Sequence, residues 1–307
     1  MVQVIPTTIT TPGGQANGMI PRPDTNPLRQ QGLAAISQLP PFSPILSKLM
    51  ASLGSDEVSF ANLGDLIEKD AVLAGRLMGI VNSALYARRS TISSVRHALS
   101  VLGMEKLRNT VLCVSVSCML NQARTPSGWS MERFNKHSAA VAILSDLIAQ
   151  RVPVEYPEGA FVAGLLHDMG RLLEAIGLPK QFHSMLREYQ GGGGSWLDCE
   201  RATLGFTHPE LSAAALAVWK VPEPIQRAAL HHHEPDPARS GGDFSLGWVV
   251  HAANQYINST GETILTSPTP DCAGAHWMES LGLDQDGLAG LLADFHAEHT
   301  AIAHYFH

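Results

Sequence analysis

One stretch restricts the fold more than any other: Pro157 to Leu173, PEGAFVAGLLHDMGRLL, where His167 and Asp168 stand side by side between Gly164 and Gly170. The run is apolar and reads as a helix. Successive helical residues are about 100° apart, so the imidazole and the carboxylate project from one edge. Such a pair is either a buried His hydrogen-bonded to its neighbour or half of a chelate. A divalent ion held by nitrogen and oxygen needs these groups to converge from several helices. The remaining chain must then supply helices with histidines on their inner faces.

Helical signals begin at Leu28 and hardly stop. Ile45, Leu46, Leu49 and Met50 recur at helical spacing, as do Leu63, Leu66 and Ile67. Asp70 is well placed to N-cap a helix whose apolar face is Val72, Leu73, Leu77, Ile80 and Val81. SSVRHALSVLGMEKLRNTVLCVSVSCML predicts two helices divided near Gly103. Between Leu112 and Cys118 apolar and small polar residues alternate with period two, as in a strand. Helical neighbours and the lack of a partner strand favour a buried helix there. From Met131 to Arg151, His137, Val141, Leu144 and Ile148 share one face. His137 thus points inward, either as a core histidine bonded to a carbonyl or as a ligand facing His167.

After PKQFHSMLREYQ, Gly191 to Gly194 read as a flexible hinge or loop. Thr207 and Glu210 stand in the relation of a capping box, so a helix starts with His208 at its first position. The positive end of the helix dipole favours a neutral imidazole there, which is also the state metal binding requires. The next helix closes on His231, His232 and His233, and three consecutive side chains cannot all face a core. SLGWVVHAANQYI carries His251 and Asn254, and a last helix aligns Leu288, Leu291, Leu292, Phe295, His299 and Ile302 as a packing stripe. His296, His304 and His307 have no evident partner.

A chain of 307 residues with 45% hydrophobic content can fill one large or two modest cores. A formal charge of -7 argues against a nucleic-acid partner or an anionic membrane surface. The local basic cluster of Arg88, Arg89, Arg96, Lys106 and Arg108 reads as a solvated face. Cys113, Cys118, Cys199 and Cys272 are scattered without metal-ligand pairing, as expected of reduced thiols. No apolar run reaches membrane-span length and the N-terminus lacks signal-peptide features, so a soluble cytoplasmic protein is expected. Residues 1 to 27, rich in Thr, Pro, Gly and Asn, read as a flexible tail.

Taken together, these residues resemble an HDOD protein, a relative of the HD metal-dependent phosphohydrolases used as an output module in bacterial signalling. The likeness rests on LIEKDAVLAGRLMGIVNSALY and ISSVRHALSVLG in the first half. In the second it rests on GAFVAGLLHDMGRL, Glu200, THPELSAAALAVWKVPEPI and HHEP. It implies an all-α fold, with an N-terminal helical part (28–126) packed on an HD-like helical core (127–307). Carried over residue by residue, the HD metal pattern implies ligands at His137, His167, Asp168, His208, His232 and His233. The last acidic ligand falls at Asn254, a neutral amide that binds metal more weakly than a carboxylate. The Gly-Tyr-Pro motif of the related cyclic-di-GMP phosphodiesterases is replaced by PDPARSGGDF.

The resemblance therefore implies a signal-transduction output module of two-component regulation, without assigned catalytic residues. A degenerate HD site would hold Fe, Mn, Zn or Ni. Its partners would be signalling proteins: a sensor kinase, a response regulator or a cyclic-dinucleotide pathway protein. The alternative is a metal-dependent phosphohydrolase acting on a nucleotide or cyclic dinucleotide.

Overall fold

The computed structural model describes residues 26–52, 64, 67–82, 92–235, 242–266 and 280–303. Leu63, Leu66, Ser83, Arg88, Arg89, Cys272, His304, His307, most of the tail through residue 25 and most of PDPARSGGDF lie outside the described residues. Among the described residues stand two short 3-10 helices (Ala35–Gln38 and Pro157–Gly159) and fourteen α-helices: α1 (Pro27–Ala34), α2 (Pro44–Ser52), α3 (Ala71–Val81), α4 (Val95–Leu102), α5 (Met104–Leu120), α6 (Met131–Ala149), α7 (Ala160–Leu166), α8 (Met169–Gly177), α9 (Pro179–Gln190), α10 (Trp196–Leu204), α11 (His208–Val218), α12 (Glu223–His231), α13 (Leu246–Ser259) and α14 (Gln285–Ala303). Among the described residues β-type pairing is limited to an isolated parallel bridge, Val154 with Phe244. None of these helices is long and apolar enough to cross a membrane.

Local chemistry sets the helix ends in the first half. The Asp70 carboxylate accepts from the Val72 and Leu73 amides and caps α3. At the other end Asn82 clamps the chain: its Nδ2 donates to Met78 O and Ile92 O, and its Oδ1 accepts from Ile92 N at 2.7 Å. Gly103, with φ +77°, divides α4 from α5, a conformation disfavoured for residues with a Cβ. The alternating segment Leu112 to Cys118 is helical within α5. Its small polar residues, Ser115 and Ser117, are buried as fully as the valines, because α5 is covered on nearly every side.

α2, α3 and α4 pack on α5, while α6 to α8 and α11 to α13 form the core that carries the site. α1 packs against α8 and α11. Asn26 ties its start to Leu204 O, and Gln31 Nε2 donates to Gly177 O. α14 lies along α6, held by Lys106 with Glu298 and by Arg151 with Asp294. Cys113, Cys118 and Cys199 are free, and burial pushes the Cys113 thiol up to about 12, so it acts as an apolar filler.

Asp146, 8% exposed on α6, accepts from Gln150 Nε2 at 2.9 Å. Burial, and then the Glu105 and Glu298 carboxylates, push its own carboxyl up to about 7. A folded pKa above the unfolded one means that stability is present at low pH and is lost as pH rises through about 7. Asp146→Asn should therefore stabilise the protein more at pH 8 than at pH 4, by a difference of about 2 kcal/mol. Denaturant titrations of both proteins at the two pH values check this, and a pH-independent difference would contradict it.

Candidate metal centre

The structure breaks the Pro157–Leu173 stretch, predicted as one helix, at the His-Asp pair. α7 ends at Leu166, and Asp168, at φ -100° and ψ 16°, starts α8. Close packing on both sides explains the break. A Cβ on Gly164 would stand 2.7 Å from Ala142 Cα on α6, and one on Gly170 would stand 2.1 Å from His208 O at the start of α11. The two glycines thus press the pair against the helices that carry His137 and His208. Gly170 N also donates to Ser212 Oγ at 2.7 Å.

All six residues expected from the HD pattern are brought to one place. One group joins Asp168, His208, His232 and His233, and a second joins His137, His167 and Asp168, with the donor atoms of each group within 4.8 Å of one another. Asp168 is common to both. Its Oδ1 lies 3.0 Å from His208 Nε2 and 3.3 Å from His232 Nε2, and its Oδ2 lies 3.4 Å from His167 Nε2 and 3.9 Å from His137 Nε2. His233 Nε2 is 3.1 Å from His208 Nε2. The remaining histidine of the triple, His231, is half-buried and is not one of the cluster's donors.

The opposite ring nitrogens decide what these contacts are. His137 Nδ1 bonds to Glu262 O at 2.8 Å, His167 Nδ1 to Gly164 O at 2.8 Å and His232 Nδ1 to Ala229 O at 2.7 Å. His208 Nδ1 bonds to the Glu200 carboxylate at 2.7 Å. Carbonyls and carboxylates only accept, so each Nδ1 carries a proton, and in a neutral ring Nε2 then presents a lone pair. Those lone pairs face a carboxylate. Nε2 of His137, His167 and His232 and Oδ1 of Asp168 are buried without a hydrogen-bond partner. Lone pairs turned on one another in a dry interior are unfavourable unless a cation lies between them. Ligands about 2.0–2.2 Å from a common ion would stand roughly 3.0–3.5 Å apart, near most of these distances.

Electrostatics agree with that reading. Burial lowers His137 to about 4, and is also the main cause that lowers His232 to about 3 and holds His233 well below the ordinary range. Neutral imidazoles are the metal-binding form. Burial opposes ionisation of Asp168, but the Arg171 guanidinium outweighs it and holds the carboxyl well below its usual range. Arg171 Nε lies 3.1 Å from Asp168 Oδ2. The Glu200 carboxyl is held low against its own burial, accepting from the His208 Nδ1–H at 2.7 Å and from the His208 main-chain N–H at 3.0 Å. Two carboxylates against one guanidinium leave an excess of buried negative charge, which suits a cation.

Glu174, fully buried behind Glu200, is pushed well above the carboxylate range by burial and then by Glu200 itself. It is therefore held as a neutral acid beside Glu200. Glu174→Gln keeps a donor there and should alter metal affinity by less than about threefold. Glu200→Gln removes the anion behind His208 and should weaken binding about 10–100-fold. Competition with a chelating dye compares the two, and equal losses would contradict the assignment.

The cluster opens on a cavity of about 720 Å³ lined by Arg171, Tyr189, Trp196, Gln255 and Asn258 together with His137, Asp168 and His233. The loop of glycines forms part of its wall through Gly194. Asn254 is buried on α13, and its amide oxygen accepts from Asn258 Nδ2, a bond within its own helix. Sequence reasoning missed Arg171, Glu174 and the grip of His251 Nδ1 on His232 O at 2.6 Å. For Arg171 the signal was available, since it stands one helical turn after Asp168.

A model of the HDOD domain matches residues 39–235. The chain belongs to the HDOD family. An uncharacterized protein of Treponema pallidum (strain Nichols) is 23% identical over 212 residues, 64% of this chain, which spans only 38% of that protein's length. Among solved structures, an HDOD domain protein from Geobacter sulfurreducens has a TM-score of 0.71 at 22% identity, covering 91% of this chain and 96% of its own. A candidate phosphohydrolase from Shewanella amazonensis SB2B scores 0.69 at 21%, covering 90% and 98%. A candidate signal transduction protein from Marinobacter aquaeolei VT8 scores 0.68 at 21%, covering 89% and 61%. At these identities the likeness is one of fold, and the HDOD fold is what this chain shares with them.

Proposed function

We propose that this HDOD chain is a regulatory module of bacterial signal transduction that holds a divalent transition metal and acts through protein partners rather than by turnover. The observation that carries the metal is the set of buried Nε2 lone pairs converging on Asp168. His137, His167, Asp168, His208, His232 and His233 would hold it, and mixed nitrogen and oxygen ligation suits Fe, Mn, Zn or Ni. The regulatory half of the reading is supported by HDOD membership and by the shared fold of the candidate signal transduction protein from Marinobacter. The neutral amide of Asn254, in place of an acidic ligand, argues against strong catalysis.

A second reading has a specific observation behind it. The cavity beside the cluster places Arg171 within reach of a bound phosphate ester, next to the aromatic Tyr189 and Trp196. A bound metal would supply an activated water and polarise a phosphoryl oxygen. Incubating the metal-loaded protein with nucleoside phosphates, cyclic dinucleotides and bis(p-nitrophenyl) phosphate separates the readings. The regulatory reading expects no turnover above that of Asp168→Ala. Hydrolysis abolished by that substitution would establish the phosphohydrolase instead. Crosslinking of the full chain to sensor kinases and response regulators tests the partner class.

A further inference from the structure

The orienting acceptors of the cluster histidines are not alike. His167 and His232 each bond to a carbonyl three residues back, Gly164 O and Ala229 O, so their rings are fixed by their own helical turns. His208 is fixed by Glu200. His137 depends on Glu262 O, 125 residues downstream and outside any helix. The segment from Gly261 to Thr266 that bears this carbonyl also lines the cavity.

That segment is gripped from two sides. From α6, Arg133 donates through Nε to Thr263 O at 2.9 Å, through Nη2 to Thr263 Oγ1 at 2.8 Å and through Nη1 to Thr266 Oγ1 at 2.6 Å. Arg133 lies one turn before His137, so a single helix carries both the ligand and the arm that holds the ligand's acceptor. From α14, His299 Nε2 meets the Glu262 carboxylate at 3.3 Å, its ring stacked on Phe295 at 5.3 Å. Ile264 and Leu265 of the same segment are buried. A guanidinium spending three donors on one loop fixes its backbone far more closely than apolar contact alone.

We infer that Gly261–Thr266 is a positioning strap for the metal centre: Glu262 O aims His137, and Arg133 and His299 hold Glu262 in place, coupling the C-terminal helix to the site. The inference rests on the metal-binding reading above. Arg133, Glu262 and His299 are positioning residues, acting through His137 without touching the ion. They lie outside the HD ligand pattern, and Glu262 and His299 lie outside the matched residues 39–235.

The test is Co(II) binding by the full chain, followed by competition and by the visible spectrum of the bound ion. Arg133→Leu should weaken binding about 10–100-fold and alter the spectrum. His299→Ala, which releases the strap from the other side, should weaken it about 3–10-fold, within that same order or just below it. Neither should weaken it further in a His137→Ala background, where the strap has nothing left to aim. Unchanged affinity and spectrum in both single variants would overturn the strap while leaving the metal site intact. Equal losses with and without His137 would also overturn it, by showing a general structural effect. A wild type that holds no Co(II) sensitive to Asp168 would overturn the metal reading and the strap together.

Discussion

Gly170→Ala is expected to destabilise the protein by about 3–5 kcal/mol and to weaken metal binding at least tenfold, because the new methyl has nowhere to go. Its Cβ would fall 2.1 Å from His208 O, 2.8 Å from His208 C and 2.9 Å from His208 Cα. These are backbone atoms at the start of α11, so no side-chain rotation relieves the overlap. α8 must retreat from α11, and Asp168 retreats with it from His208. Gly75 is the control, since a Cβ there meets nothing within 4 Å on helix α3. Gly75→Ala should be neutral or stabilising by up to about 1 kcal/mol, as removal of a mid-helix glycine usually is. Denaturant unfolding of both variants checks the contrast, and similar small effects at the two positions would contradict the packing account.

Asp168→Asn should reduce metal affinity by about 100-fold or more, since it replaces the anionic oxygens shared by both ligand groups with a neutral amide. The same change strands Arg171, whose guanidinium then faces the histidines without its nearest carboxylate. In the wild type, protons should begin to compete at His137 and His232 only as pH falls toward about 4, not near 6.5 where an ordinary histidine titrates. Metal affinity measured from pH 7 down to 4 checks the sign. A steep loss centred near 6.5 would show that these rings are not the buried neutral ligands described.

Much of this could be read from residue order. The capped start at Asp70, the division at Gly103 and the capping box of Thr207 with Glu210 rest on local chemistry, and the structure shows all three. Inward-facing His137 followed from helical period alone, and the structure buries it as the 1% exposed partner of Glu262 O. Three features were less legible. The helix break at His167 and Asp168 is set by the close approach of α6 and α11 at Gly164 and Gly170, a tertiary constraint invisible to periodicity. Which of three consecutive histidines turn inward depends on where α12 ends, and His251 fixes that end from another helix. Glu262 contributes a main-chain carbonyl, which every residue possesses, so no side-chain pattern could have marked it.

The central claim is that one buried His-Asp cluster holds a divalent metal, and elemental analysis of purified, untagged protein beside the His167→Ala, Asp168→Ala double variant tests it most directly. Near-stoichiometric Fe, Mn, Zn or Ni in the wild type that disappears in the variant is the predicted result. Metal absent from the wild type after growth and purification without chelators, or metal retained equally by the variant through half-buried His231 and its neighbours, would contradict it.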